Sequence, residues 1–291
     1  MNAIEIVGLS KSYKGKRSST VEALKGISLE IGAGEVFGFL GPNGAGKSTT
    51  IKILIGQIHA VGDARILGIS VADPTARRKI GYLPENPAFY DFLTAREYLR
   101  FVGRIFAMKE QAIAEESSRV LELLDLHKAA DRPIRGFSKG MVQRLGLAQA
   151  LLHDPEVYIL DEPMSGLDPM GRALVKEIIR DLKRQGKTVF FSTHITADIE
   201  ALCDRIGIIV KGDLRAVERV PELLSRQLDG YLVRYTDAAG LVHVQQVTTA
   251  ALREQLDICL STGATLDGID PCRRDLEAYF LEVVESTDAP D

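Results

Sequence analysis

The stretch from residue 41 to residue 49 constrains the fold of this chain more than any other part of the sequence. It consists of Gly41, Pro42, Asn43, Gly44, Ala45, Gly46, Lys47, Ser48 and Thr49. It matches the pattern G-x-x-x-x-G-K-[ST], in which the backbone N–H groups of a glycine-rich loop surround phosphates. Residues 35–40 have the composition of a short buried strand, and apolar side chains recur at helical spacing over 48–58. The pattern predicts a strand, a phosphate-binding loop and a helix N-terminus, and the alternative is a glycine-rich turn that binds nothing.

Two side chains of this loop have predicted roles in binding a nucleoside triphosphate. Lys47 is expected to contact the β- and γ-phosphates, and the Ser48 hydroxyl is expected to ligate Mg²⁺. Glycine has no Cβ atom, so the backbone can approach the phosphates closely. The N-terminus of the following helix adds free N–H groups and a positive dipole end.

A pair of acidic residues is the second chemical signal in the sequence. Asp161 and Glu162 directly follow the apolar stretch 157–160, which has the composition of a buried strand. Beside a phosphate loop, Asp161 is expected to hold Mg²⁺ directly or through water. Glu162 is expected to polarise a water for attack on the γ-phosphate. The alternative is that two acids simply begin a loop after a strand.

The order of strand and helix patterns predicts the fold class, an α/β protein with a P-loop NTPase core. Strand and helix patterns alternate after the phosphate loop and again after residue 157, which predicts a mainly parallel sheet. Short strand patterns near 3–7, 21–31 and 64–71 predict a flanking antiparallel β subdomain. The helical patterns after these strands and before the strand at 157 predict an inserted helical subdomain at about 86–152. This core domain is expected to span residues 1–220.

The character of the sequence changes at about residue 221. A hairpin pattern over 231–247 is followed by two helical patterns, which predicts a small α+β domain over 221–285. Residues 286–291 are polar and are expected to form a frayed tail.

The composition limits the functional classes that remain open. The chain has 291 residues, 45% of them hydrophobic, and a net charge of −4. This charge disfavours binding to a nucleic-acid backbone. The cysteines show neither disulfide nor metal-ligand spacing. No signal-peptide pattern begins the sequence, and no apolar run approaches the ~20 residues of a membrane span. A soluble protein of the cytoplasm is therefore expected.

Five short motifs in a fixed order resemble the ATP-binding subunit of ABC transporters. They lie at 41–49, at 137–141 (Phe-Ser-Lys-Gly-Met), at 160–163 (Leu-Asp-Glu-Pro), at 165–168 (Ser-Gly-Leu-Asp) and at 192–194 (Ser-Thr-His). The resemblance covers about three quarters of the chain, from about residue 3 to about residue 220. It implies ATP and Mg²⁺ as the ligands.

The resemblance assigns roles to further residues. The segment 137–141, called the signature loop below, contributes Ser138 and Gly140 to the γ-phosphate of an ATP that is bound by a second subunit. Asp168 lies at the interface between the two subunits. His194 contacts the γ-phosphate and helps to hold the attacking water. From the sequence alone, Ser138 and Asp168 could equally be helix N-caps, and His194 could be an ordinary surface residue.

The resemblance also extends to Tyr13 and Glu85, and this sequence departs from the family's usual residues at a few positions. Tyr13 matches the aromatic residue that stacks on adenine, with a surface tyrosine as the alternative. Glu85 stands where the family usually has glutamine, and it is expected to ligate Mg²⁺ unless it is merely solvated. Lys139 and Met141 depart from the Leu-Ser-Gly-Gly-Gln consensus of the signature loop. The contacts of the glycine and glutamine that they replace are therefore in doubt.

The function implied by the resemblance is that of an ATPase that dimerises around ATP and drives transport. A separate transmembrane permease subunit would form the pore, and a second ATPase subunit would complete the site. Glu85 and the domain after 221 resemble export-type members, with the protein on the cytoplasmic face of the membrane. The main alternative is a soluble ABC ATPase that acts on nucleic acid or the ribosome, and a nucleotide-gated regulatory module is a third class.

Overall fold

The computed structural model describes residues 1–14, 20–226, 228–273 and 276–286. The chain forms two compact units, Met1–Val217 and Glu218–Asp291. The strands are β1 (Asn2–Lys14), β2 (Thr20–Gly32), β3 (Val36–Leu40), β4 (Val61–Ile66), β5 (Ile69–Ser70), β6 (Ile80–Leu83), β7 (Val157–Asp161), β8 (Thr188–Thr193), β9 (Arg205–Val210), β10 (Asp213–Arg219), β11 (Leu228–Thr236), β12 (Val242–Val247) and β13 (Thr265–Arg273). The helices are α1 (Lys47–Leu54), α2 (Ala95–Ile105), α3 (Glu110–Leu123), α4 (Lys139–Leu151), α5 (Pro169–Arg184), α6 (Thr196–Leu202), α7 (Val220–Arg226), α8 (Leu252–Ser261) and α9 (Leu276–Glu285).

A mainly parallel sheet carries the predicted phosphate loop. Its strand order is β10-β9-β3-β8-β7-β6, and β3, β8 and β7 are neighbours with parallel pairing. Every residue of β3, β7 and β8 is buried, as expected for strands that are covered on both faces. The register pairs Leu40 with Thr193 and Asp161 with Ser192. The carboxyl ends of these strands therefore meet at one edge, where α/β proteins bind ligands.

One glycine of β3 sets the distance between this sheet and α6. A Cβ atom on Gly38 would lie 2.8 Å from the Cys203 sulfur and would overlap the Ile199 side chain. Both of these neighbours are buried. The helix that follows His194 therefore packs directly on the backbone of the strand that leads to the phosphate loop.

The flanking antiparallel sheet and the inserted helices are both present. The second sheet has the order β2-β1-β4-β5, with antiparallel pairing of β1 to β2 and to β4. Helices α2, α3 and α4 lie between β6 and β7 in the chain and contact one another. The Thr94 side chain and the Glu97 side chain form a reciprocal capping box at the start of α2, which fixes the beginning of that helix.

The smaller unit is built on an antiparallel sheet of order β12-β11-β13. The predicted hairpin over 231–247 is formed, since Tyr231 pairs with Val247 and Thr236 pairs with Val242. Val233, Val247 and Cys259 are buried in this unit. Of the predicted tail, residues 287–291 lie outside the described residues. Within the described part of the chain, no helix is both long enough and apolar enough to cross a membrane.

Candidate nucleotide site

A cleft of about 350 Å³ lies at the carboxyl edge of the parallel sheet. The residues that line it are Ala23, Pro42, Asn43, Gly44, Gly46, Lys47, Ser48, Thr49, Glu85 and Glu162. The other two loop residues, Gly41 and Ala45, are buried beneath it. Most of the predicted loop therefore faces one cavity, together with two carboxylates from distant parts of the sequence.

The shape of the loop depends on its glycines. Gly44 and Gly46 have φ values of 79° and 116°, in the region that side chains other than glycine rarely adopt. A Cβ atom on Gly46 would also lie 2.7 Å from the Ala23 carbonyl oxygen. Helix α1 begins at Lys47, directly after this turn. Its first N–H groups therefore stand at the cleft, where they suit phosphate oxygens.

Lys47 is held within the loop. Its ammonium donates hydrogen bonds to the carbonyl oxygens of Gly41 at 2.5 Å and Pro42 at 3.2 Å. Burial lowers the pKa of Lys47, and the negative charges of Glu162, Asp161 and Glu85 oppose that shift. All three carboxylates therefore lie near enough to act on the ammonium. A triphosphate would act in the same sense as the carboxylates, because an adjacent anion favours the protonated amine.

Asp161 is joined to a residue that the sequence analysis did not assign to the site. Asp161 is only 5% exposed, and the Ser192 hydroxyl donates a hydrogen bond of 2.5 Å to its carboxylate. Ser192 is fully buried at the end of β8. Its signal in the sequence was its place in the Ser-Thr-His motif. This bond fixes the Asp161 side chain at the strand tip, beside the Lys47 ammonium.

Glu162 has an unusual backbone conformation. Its φ is 49°, which for a residue other than glycine costs on the order of 1–3 kcal/mol. Its N–H donates to the Ser192 hydroxyl oxygen at 3.0 Å. Its carboxylate, 11% exposed, lies 3.0 Å from Nδ1 of His194, which is 56% exposed. The structure therefore brings together the two residues that the sequence analysis proposed for the attacking water.

A second cavity, of about 170 Å³, lies behind this pair. Glu162 and His194 line it together with Arg172 and Asp198. The buried Asp198 carboxylate forms ion pairs with Arg172 at 3.0 Å and with Lys176 at 2.8 Å. These pairs join α5 to α6, the helices that follow Asp168 and His194. Nothing in the sequence analysis pointed to them.

Tyr13 and Glu85 have different positions relative to the cleft. Glu85 lines it. Tyr13 lies on β1 and is 39% exposed, with the Lys11 ammonium 5.4 Å from the centre of its ring. Tyr13 is not among the described residues that line the cleft, where Ala23 of β2 is found instead. An adenine contact of Tyr13 stays a prediction.

The signature loop and Asp168 also lie outside the cleft-lining residues of the described chain. Ser138 caps α4 by accepting a hydrogen bond of 3.3 Å from the Met141 N–H, and Asp168 caps α5 by accepting one of 2.8 Å from the Gly171 N–H. Both capping residues are exposed. A Cβ atom on Gly140 would lie 3.6 Å from the Leu167 side chain. Within one chain these residues therefore form two adjacent exposed helix starts.

The donor set at the cleft suits Mg²⁺ bound together with phosphate. Among the described residues, no group of three or more His, Cys, Asp or Glu side chains is arranged to hold a metal ion. Mg²⁺ is commonly bound through one or two carboxylates, with phosphate oxygens and waters completing an octahedron. Ser48 and Glu85 line the cleft and supply a hydroxyl and a carboxylate of this kind. The buried Asp161 carboxylate is not among the described lining residues, but it lies near enough to act on the Lys47 ammonium.

Comparison with known proteins follows the same motifs. Residues 24–165 match the protein family described as ABC transporter. An ABC transporter ATP-binding protein of Synechocystis sp. is 48% identical over 301 aligned positions, which cover 96% of this chain and 84% of that protein. The chain belongs to the ABC transporter family. It is an ATP-binding subunit of that family, and it is an ATPase.

Two further proteins are similar to this ABC subunit, one in sequence and one in structure. The linearmycin resistance ATP-binding protein of Bacillus subtilis is 36% identical over 268 positions, covering 88% of this chain and 85% of that protein. A solved dimer of an ATP-binding cassette, in a post-hydrolysis state with ADP and Pi bound, superposes with a TM-score of 0.70. It is 26% identical and covers 75% of this chain and 98% of that one. The expected fold, a P-loop core with an antiparallel β subdomain and inserted helices, is confirmed.

Proposed function

We propose that two copies of this ABC subunit enclose ATP and Mg²⁺ between them, and that hydrolysis drives export through a separate membrane subunit. The observation that carries the proposal is the arrangement around Glu162. Its carboxylate is in contact with His194, and it lines the same cleft as Lys47 and Ser48. A candidate base, a cation and a helix N-terminus thus face one cavity that is large enough for phosphates.

The chain's own groups divide the work of hydrolysis. The loop N–H groups and Lys47 neutralise and orient the phosphates, since phosphoryl transfer depends mainly on positioning and charge stabilisation. Ser48, Asp161 and Glu85 would hold a magnesium ion, which would screen the phosphate charge. Glu162 accepts a proton from the attacking water, and His194 orients the Glu162 carboxylate through their hydrogen bond.

A second copy supplies the remaining contacts. Ser138 and Gly140 stand at the exposed start of α4, which offers N–H groups and a positive dipole end to an anion. The adjacent Asp168 stands at the exposed start of α5. A single chain does not bring these groups to its own cleft. The relative that forms a dimer with ADP and Pi supports completion of each site by the other copy.

An exposed aromatic surface supports a membrane partner. We define it by Tyr90, Phe92, Phe101 and Ile105, which are exposed at or just before α2, with the Tyr90 and Phe101 rings 6.0 Å apart. Contiguous exposed apolar groups of this kind mark protein interfaces. We assign to this aromatic surface a cytoplasmic segment of the permease, which places the ATPase on the cytoplasmic face of the membrane.

Export is the direction that the relatives support. The linearmycin resistance protein and the Nod factor export proteins are similar to this chain over most of its length. A role on nucleic acid is the less favoured function, because the net charge is −4 and phosphate-backbone binding requires a basic surface.

The central test is Glu162→Gln. This variant keeps the shape and the length of the side chain but removes the carboxylate that acts as the base. It is expected to bind ATP as tightly as the wild type, to hydrolyse it on the order of 100-fold more slowly, and to accumulate as an ATP-bound dimer in size-exclusion chromatography. Hydrolysis at the wild-type rate would refute the role of Glu162. A monomer at saturating ATP would refute the two-copy site.

The partner assignment has its own test. Phe101→Asp is expected to abolish copurification with the permease that is encoded beside this subunit, while the ATPase activity of the free subunit is retained. Val61→Asp, which changes an exposed apolar residue of the antiparallel sheet, is the matched control and should copurify normally. Copurification of the Phe101→Asp variant with the permease would contradict the assigned surface. Copurification of the wild type with ribosomes or DNA would favour the alternative function.

A further inference from the structure

Helix α4 holds the backbone around Glu162 through the side chain of Gln143. In the proposed mechanism, α4 otherwise contacts only the ATP that is bound by the second copy. Nε2 of Gln143 donates to the Glu162 carbonyl oxygen at 3.4 Å and to the Pro163 carbonyl oxygen at 3.3 Å. An amide nitrogen has two N–H donors, so one side chain can serve two successive carbonyls. Gln143 is 4% exposed, which makes it one of the few buried polar side chains in the larger unit.

These bonds act on the conformation that aims the Glu162 carboxylate. Glu162 has a positive φ, which is unfavourable unless the surroundings enforce it. Ser192 binds its N–H on one side, and Gln143 binds its carbonyl on the other. The peptide groups before and after the Glu162 Cα atom are therefore both anchored, and the direction of its side chain follows from them.

Gln143 also connects this anchor to the start of its helix. It lies in α4, whose N-cap is Ser138. Gln143 is five residues after Ser138, little more than one helical turn, through which a displacement passes rigidly. A shift of the α4 N-terminus would therefore move the Gln143 amide against the two carbonyls.

We propose that Gln143 is a positioning residue for ATP hydrolysis, which holds the Glu162 backbone in its left-handed conformation and ties it to the helix that starts at the signature loop. The inference rests on the proposed role of Glu162. It adds a physical link within one chain. The helix end that reaches the ATP held by the second copy also sets the carboxylate of its own site.

The first test replaces Gln143 with leucine in the full-length subunit. Gln143→Leu leaves a side chain of similar volume but has no donors. Its kcat for ATP is expected to fall on the order of 10- to 100-fold, the usual cost of losing a supporting hydrogen bond behind a reacting group. The dissociation constant for ATP, measured with a fluorescent analogue, is expected to change by less than about 2-fold, because Gln143 does not line the cleft.

The neighbouring residue provides a matched control. Arg144 donates to two successive carbonyl oxygens as well, those of Leu124 and Asp125, which lie at the end of α3 and not at the site. Arg144→Met removes a comparable pair of bonds from the same helix. It is expected to lower thermal stability while kcat stays within about 3-fold of the wild type, since no supporting bond behind the reacting group is lost.

A second variant separates positioning from damage to the core. In Gln143→Glu an ionised carboxylate would face two carbonyl oxygens with no donor. On protonation it regains one O–H donor. The ratio of its kcat to that of the wild type is therefore expected to rise as the pH falls, whereas the same ratio for Gln143→Leu stays flat. The other titratable and charged groups around Glu162 are present in every variant and cancel in these ratios; they include Lys47, Glu85, Asp161, Arg172, His194 and Asp198.

The outcomes distinguish this inference from the proposed function. A wild-type kcat in Gln143→Leu, with Glu162→Gln inactive, would overturn the role of Gln143 and leave the proposed function intact. Flat ratios for both Gln143 variants would also overturn it, because restoring an O–H donor at position 143 would then restore no activity. Activity of Glu162→Gln at the wild-type rate would refute the proposed function itself.

Discussion

The larger unit and the smaller unit use charged side chains in different ways. In the larger unit, Lys47, Asp161 and Asp198 are buried, and Glu162 has a positive φ. In the described part of the smaller unit, the ion pairs of Arg234 with Asp270 and of His243 with Asp237 lie at the surface. Buried charges and strained backbone are costly and persist where they serve a site. The contrast assigns the chemistry to the larger unit.

The largest expected effect is that of Lys47→Ala. It removes the cation that faces the phosphates, so ATP turnover is expected to fall by on the order of 10²–10³-fold, measured by phosphate release. Lys52→Ala is the matched control, because Lys52 lies in the same helix but is exposed. Equal ATP turnover in the two variants would contradict the special role of the buried Lys47 ammonium.

Ser192→Ala tests whether the buried hydroxyl matters for the site. The variant leaves the Glu162 N–H and the Asp161 carboxylate without their shared partner, so kcat is expected to fall roughly 10- to 100-fold with ATP binding retained. Ser117→Ala is the control, since the buried Ser117 hydroxyl has no hydrogen-bond partner among the described residues and its loss should leave both kcat and stability essentially unchanged. A kcat loss in Ser117→Ala of the same size would show that the effect is general.

Glu85→Gln sharpens the account of the metal. Loss of a carboxylate at the cleft is expected to raise the Mg²⁺ concentration for half-maximal activity roughly tenfold, measured by titration at saturating ATP. The family's usual residue at this position is the one introduced, so folding should be preserved. An unchanged Mg²⁺ requirement would show that Glu85 is a solvated charge at the edge of the cleft.

The smallest effect is expected in the smaller unit. The hydrogen bond from His243 and those from the backbone of Leu241 and Ala239 lower the pKa of Asp237. A carboxyl group whose pKa is lowered in the folded state stabilises the fold at pH values above the usual aspartate pKa. This stabilisation is lost as the pH falls through the lowered pKa. Asp237→Asn should therefore leave kcat unchanged. Its difference in melting temperature from the wild type should shrink as the pH falls through the acidic range. A change in kcat would connect this unit to the chemistry.

The sequence predicted those parts of the site that depend on local patterns. The phosphate loop, the strand before it and the acidic pair at 161–162 each follow from a few consecutive residues. In the structure most of the loop and Glu162 line one cleft, and Asp161 lies near enough to act on the Lys47 ammonium. Parallel pairing of β3, β8 and β7 then brings Glu162 beside His194. The Thr94 capping box was also evident from the sequence and is formed.

The bonds that support Glu162 could not be predicted from sequence patterns, although Ser192 itself lies in the Ser-Thr-His motif. Gln143 and Ser192 act through bonds to backbone atoms of residues 19 and 30 positions away, and a main-chain partner leaves no trace in the side-chain pattern. The left-handed conformation of Glu162 is equally invisible, because glutamate rarely adopts it. Contacts that need a second copy, such as those proposed for Ser138, could be inferred only from the resemblance.

Gly38 in β3 has no side chain, and this influences the position of the His194 imidazole through α6. Because α6 rests on its bare backbone, any methyl group at position 38 would push that helix outward, and His194 stands two residues before its first turn. A silent-looking alanine far from the phosphates would thus misalign the catalytic pair while leaving every motif of the family intact. A reader of sequence alone would judge such a variant functional.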